Sequence, residues 1–171
     1  MKYNNLDKES VNRIQNTVED NAKKIDEIVE GIYRPYCRDL DRYVKFVGEC
    51  LKDGTNPPNN AELEDFCMNL STYIYFASGM CEYLGIRDDI SKALWKEMYN
   101  SKRSEKVTGT IDDKNSFAEL ASQQEQLTNI CYNRAYRIVK AKIDSAQELL
   151  TSCKKVLSHR MQEMELTKLT K

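Results

Sequence analysis

YNRAYRIVKAKIDSAQELLTSCKKVL, residues 132–157, places Tyr132, Tyr136, Val139, Ile143, Ala146, Leu150, Cys153 and Leu157 at alternating spacings of four and three. That rhythm returns one apolar side chain to the same helical face every turn, as in a coiled-coil-like seam. No proline or glycine lies within it to stop a helix. A seam of this length needs a partner helix. The first segment of the chain has a similar length and rhythm and is the expected intramolecular partner; a second copy of the chain is the other.

That first segment runs from about Asp7 to Leu51, with Val11, Ile14, Val18, Ile25, Ile28, Ile32, Tyr36, Leu40, Tyr43, Val47 and Leu51 mostly three or four residues apart. Pro35, preceded by Gly31, predicts a kink or division near residues 31–35, because proline lacks the amide donor and clashes with the preceding turn. DGTNPPNN, residues 53–60, reads as the main loop. Asn59 with Glu62 predicts a capping box opening the next helix, whose stripe Leu63, Phe66, Cys67, Leu70, Tyr73, Ile74, Ala77, Met80, Cys81 and Leu84 ends before Gly85. Asp88 or Asp89 then caps a third helix carrying Ile90, Leu94, Trp95, Met98 and Tyr99. Gly109 marks a second break, and Ser116 with Glu119 predicts the cap of a last helix that continues to about residue 165.

β-prone runs such as TYIYF, residues 72–76, sit inside a helical stripe without flanking turn residues, so no strand is expected. The fold class is all-α: a bundle of about four to five helices, its long C-terminal helix packed on the long N-terminal one. At 171 residues, one domain spanning 1–171 is expected. Its tyrosines read chiefly as core and rim packing.

With 40% hydrophobic and 31% charged residues, three prolines and six glycines, the composition is that of a helix-rich globular protein. No apolar run reaches the roughly 18 residues of a membrane span, and MKYNNLDKES is not a leader, so a cytoplasmic protein without membrane contact is expected. Cys37, Cys50, Cys67, Cys81, Cys131 and Cys153 include no CxxC pair and read as reduced core thiols. His159 is the only histidine, and phosphate-cradling glycine motifs, GxSxG and HExxH are absent. No catalytic residue, metal or cofactor is therefore expected. Acids at helical spacing, such as Glu62, Glu64 and Asp65, suit helix N-termini instead.

Charge is unevenly divided. Residues 1–89 hold 11 Lys/Arg against 17 Asp/Glu, net −6, and residues 90–171 hold 15 against 10, net +5. The division points either to a polyanion-facing C-terminal hairpin or to head-to-tail pairing between subunits or halves. Within the basic half, CYNRAYRIVKAK, residues 131–142, carries four cations and no acid. With Tyr132 and Tyr136 on the seam, Arg134, Arg137 and Lys140 turn outward, followed by Lys142. Lys154, Lys155, His159 and Arg160 carry positive charge further along the helix, while Lys102, Arg103 and Lys106 form a second cluster before Gly109. Outward cations are what phosphate contacts require; the bland alternative is a solvated helix face. The candidate nucleic-acid contacts are Lys102, Arg103, Lys106, Arg134, Arg137, Lys140 and Lys142.

The run ALWKEMYNSKRSEKVTG, a polar break, and a long helix ending AKIDSAQELLTSCKKVLSHR resembles the UvsY-like recombination mediators and related small helical proteins of tailed phages. Tyr99, Ser101, Lys102 and Arg103 before the loop, with Leu157, Ser158 and Arg160 at the end, carry the resemblance, which covers roughly residues 90–165. It implies a homo-oligomer in the host-cell cytoplasm that binds single-stranded DNA and helps a recombinase load. A different class of function, a helical inhibitor of a host nuclease whose acidic half mimics nucleic acid, is the alternative. A structural virion component is the third.

Overall fold

A computed structural model describes residues 8–52 and 54–169, which form four helices: α1 (Lys8–Lys52), α2 (Asn60–Glu105), α3 (Ile111–Ala121) and α4 (Gln123–Leu169). Among the described residues there is no strand, and the all-α bundle is as expected. The expected helix start at Asp7 and the first loop residue, Asp53, lie outside the described residues.

α1 is continuous, with Pro35 inside it, where two stretches were expected. Pro35 is exposed, and so is Gly31, the residue whose carbonyl would otherwise accept the missing amide. Water can satisfy that carbonyl, so the lost hydrogen bond costs less here than it would in the core. From Val29 onward α1 buries Val29, Cys37, Leu40 and Val47. Residues 12–24, by contrast, are exposed on every face.

α2 is also continuous through Gly85, which was expected to end a helix. Gly85 faces the Tyr136 ring of α4, where an added Cβ would lie 3.3 Å from the ring edge. The glycine thus serves close packing rather than termination. Its predicted start is as expected: the Glu62 amide donates to Asn59 Oδ1 at 3.0 Å and the Asn59 amide to Glu62 Oε2 at 2.7 Å.

The turn before α3 contains Gly109 at φ +111°, a conformation that favours glycine. α3 is capped by Thr110 and Asp113, not by the expected Ser116 and Glu119. Thr110 donates its amide to Asp113 Oδ2 at 2.9 Å, which holds the Asp113 carboxyl below its ordinary range. The last helix, expected to run unbroken from this region, is interrupted at Ser122. Ser122 leaves helical geometry at φ −108° and ψ 13°, and its buried hydroxyl donates to the Ala118 carbonyl at 2.8 Å.

The core lies along the α2/α4 contact, the most extensive in the molecule, with α1 packed on both. α4 does pack on α1, as expected, but its larger contact is with α2. The reason is side-chain size. Cys67, Ala77, Cys81, Gly85 and Ser91 of α2 meet Cys131, Ala135, Val139, Ala146 and Cys153 of α4, so the two backbones approach closely. The seam is accordingly rotated from the sequence reading: Cys131 and Ala135 are buried while Tyr132 and Tyr136 are only partly so. Tyr43 and Tyr73, with ring centroids 5.0 Å apart, join α1 to α2 at the rim. All six cysteines are unbonded, and five are buried.

Candidate nucleic-acid interface

Burial of Cys131, Ala135 and Val139 fixes the rotation of α4 and turns Arg134, Arg137 and Lys140 away from the core, where all three are exposed. At 1.5 Å per residue they span about 9 Å of the helix axis. None of the three makes an ion pair with another described residue. Further along the same face stand Asp144 and Glu148, both exposed, before positive charge resumes at Lys154 and Lys155. The basic track is therefore two turns long and then interrupted by acid.

Lys142 turns the other way. Its Nζ donates to both carboxylate oxygens of Asp41 on α1, at 2.8 and 2.7 Å, and lies 5.5 Å from the centroid of the Tyr33 ring. Burial depresses the ammonium, but the Asp41 hydrogen bond and charge outweigh it, so Lys142 titrates above its ordinary value. Cys37 donates its thiol toward Asp41 Oδ2 at 3.5 Å, and burial together with the Asp41 charge pushes that thiol up to about 12. Lys142 thus ties α4 to α1.

The second cluster is apart from the first. Asp88 accepts from Asn133 at 3.0 Å, which puts that part of α2 beside Arg134, while Arg103 lies 15 residues further along α2, about 22 Å along its axis. Lys102 donates to both Glu105 oxygens at 3.0 and 2.9 Å. Lys106 donates to the Asp113 carbonyl at 3.2 Å and sits 5.6 Å from the Phe117 ring centroid, helping seat α3. Arg103 alone of this cluster is exposed without an ion pair among the described residues. Arg160, at the far end of α4, donates to the Pro58 carbonyl at 2.6 Å and clamps the first loop.

Several polar partners were not visible in the sequence. Asn129 donates to Ser91 Oγ at 3.0 Å and Asn133 to Asp88, a polar ladder along the α2/α4 contact in which Asp88, read as a helix cap, is an interhelical acceptor. Tyr75 and Tyr83 are strongly exposed on α2 and Phe76 lies beside Tyr75, so exposed aromatic surface belongs to α2 rather than to the tyrosines of CYNRAYRIVKAK. The signal was their position off the buried α2 stripe.

Among the described residues no three His, Cys, Asp or Glu side chains converge as metal ligands, and no helix is long and apolar enough to cross a membrane. No family model, curated protein or solved structure matches the chain.

Proposed function

We propose that the protein is a non-enzymatic, phage-type accessory factor of DNA recombination or replication, acting in the host-cell cytoplasm and binding single-stranded DNA through the outward face of α4. The observation that carries this reading is the set of three exposed cations, Arg134, Arg137 and Lys140, unpaired among the described residues and clustered within two turns. The resemblance of residues 90–165 to UvsY-like mediators supports it and supplies the recombinase as the protein partner. Lys142, Lys102 and Lys106 are engaged within the chain and have a minor part in the contact.

Three phosphates neutralised on a single strand give a salt slope of about −2, so affinity falls roughly 15- to 20-fold between about 50 and about 200 mM salt. Fluorescence anisotropy with labelled single-stranded and duplex DNA measures it. Arg134→Glu with Arg137→Glu removes most of the binding and flattens the slope. Unchanged binding in that variant rules out this face, and no binding of the parent chain at low salt rules out the reading.

The alternative, a protein-binding inhibitor acting through the acidic half, is favoured by one observation: Glu19, Asp20, Asp26, Glu27 and Glu30 of α1 are all exposed. It predicts no DNA binding and capture by a basic protein surface.

A further inference from the structure

Between α2 and α4, on the side where α1 packs, a groove continues past the point at which α1 leaves. One part, about 620 Å³, is lined by Ile32 and Tyr36 of α1, Met80 and Tyr83 of α2, and Tyr132 of α4. The next, about 410 Å³, shares Arg87, Ile90 and Tyr132 with it and adds Leu94 and Thr128. No part of α1 lines this second section, so Ile90 and Leu94 are each 54% exposed.

The chain itself carries what the groove lacks. On α1, Val11, Ile14, Val18 and Ile25 recur at helical spacing, yet Ile14 is 57% and Val18 61% exposed. An amphipathic stripe and an apolar groove, both uncovered, are each a marker of an interaction surface. Their lengths agree: residues 11–25 of α1 and residues 80–94 of α2 each span about 21 Å.

Charge and hydrogen bonding also match. Residues 11–25 hold three Lys/Arg against two Asp/Glu, and residues 80–94 hold two against three. In the groove, Glu125 Oε2 is shut off from solvent with no hydrogen-bond partner among the described residues. A buried carboxylate oxygen calls for a donor. Gln15 and Asn21 flank the α1 stripe and bring amide N–H groups to its edges.

We infer that the N-terminal arm of α1, residues 11–25, docks in the α2/α4 groove of a second copy of the chain, making an arm-exchanged homo-oligomer. A second copy fits better than the same chain. α1 is one continuous helix through Gly31 and Pro35, and its own arm enters the groove only if that helix breaks, whereas a neighbour's arm enters with it intact. The inference is independent of DNA binding, since the cations of α4 lie outside the groove.

Sedimentation and light scattering on the full chain test it, with three variants: Ile14→Asp with Val18→Asp on the arm, Leu94→Glu in the groove, and a cysteine pair, Val18→Cys and Leu94→Cys. The expected result is a concentration-dependent oligomer that each charged variant converts to monomer with helical circular dichroism retained, because all three residues are exposed. Mixing chains that carry only Val18→Cys with chains that carry only Leu94→Cys should give an oxidative cross-link between chains. A parent chain that stays monomeric at all concentrations overturns the inference. So does a cross-link formed within a monomer by the double-cysteine chain, which assigns the groove to the chain's own arm, and so does an oligomer unaffected by both charged variants.

Discussion

Asp41 and Lys142 stand 101 positions apart in sequence and meet where α1 crosses α4, with side chains 39% and 32% exposed. Partial exposure screens the pair, so its net worth is that of a favourable surface bridge, about 1 kcal/mol. Removing Asp41 also leaves a half-buried ammonium facing Tyr33 and Cys37 without its acceptor. Asp41→Ala should therefore lower unfolding stability by about 1–2 kcal/mol at neutral pH, measured by urea denaturation. The pH dependence has a definite sign. Lys142 titrates above its unfolded value of about 10.4, so its contribution is fully present below that pH and is lost as pH rises through the folded value. Cys37, pushed up to about 12, loses stability in the same direction. Because Asp41 contributes to both shifts, the gap between Asp41→Ala and the parent should be constant from neutrality to about pH 9, where the unfolded thiol begins to titrate, and shrink above it. Sequence reading placed Lys142 with the outward cations because it follows Lys140 in a basic run. The burial of Cys131 and Ala135, where Tyr132 and Tyr136 were expected on the seam, is what turns it inward.

At the scale of the element, α2 contains two glycines with opposite surroundings. Gly79 is exposed and nothing lies within 4 Å of a Cβ built on it, whereas at Gly85 the Tyr136 ring is 3.3 Å away. In a helix interior glycine costs roughly 0.5–1 kcal/mol relative to alanine. Gly79→Ala should recover that amount as a rise in the urea midpoint at unchanged slope. Gly85→Ala gains the same backbone term but forces the ring outward by a few tenths of an ångström, so it should stabilise less than Gly79→Ala or destabilise. Equal gains at both positions would mean that Tyr136 does not pack on Gly85. The contrast also explains a misread boundary. Followed by Asp88 and Asp89, Gly85 has the local signature of a helix end, and only the tertiary contact shows why α2 continues. α3 is similar: Ser116 with Glu119 and Thr110 with Asp113 are both capping-box patterns, and Gly109 at positive φ delivers the chain to the second.

For the whole molecule, the long-period apolar stripes made the helical class, the main loop and the Asn59 cap legible, because each depends on local spacing. Partner choice was not legible. Similar three-and-four rhythms on α1, α2 and α4 leave all pairings open, and the choice falls to close backbone approach at Ala77, Ala135 and Ala146, which a hydrophobic pattern does not distinguish from larger apolar residues. The same ambiguity hid a difference between the two ends of α1. Its stripe looks uniform, yet residues 12–24 bury nothing while Val29, Cys37, Leu40 and Val47 enter the core. A chain beginning at Ile25 should therefore keep the bundle, with a thermal midpoint within about 2 °C of the full chain at protein concentrations low enough to dissociate any oligomer. Raising the concentration separates the two. If the arm docks between copies, the full chain's midpoint climbs with concentration by mass action, while that of the shortened chain stays fixed. Should the shortened chain instead unfold many degrees lower when dilute, the arm is stabilising its own bundle, and the exposed stripe on Ile14 and Val18 has an intramolecular use.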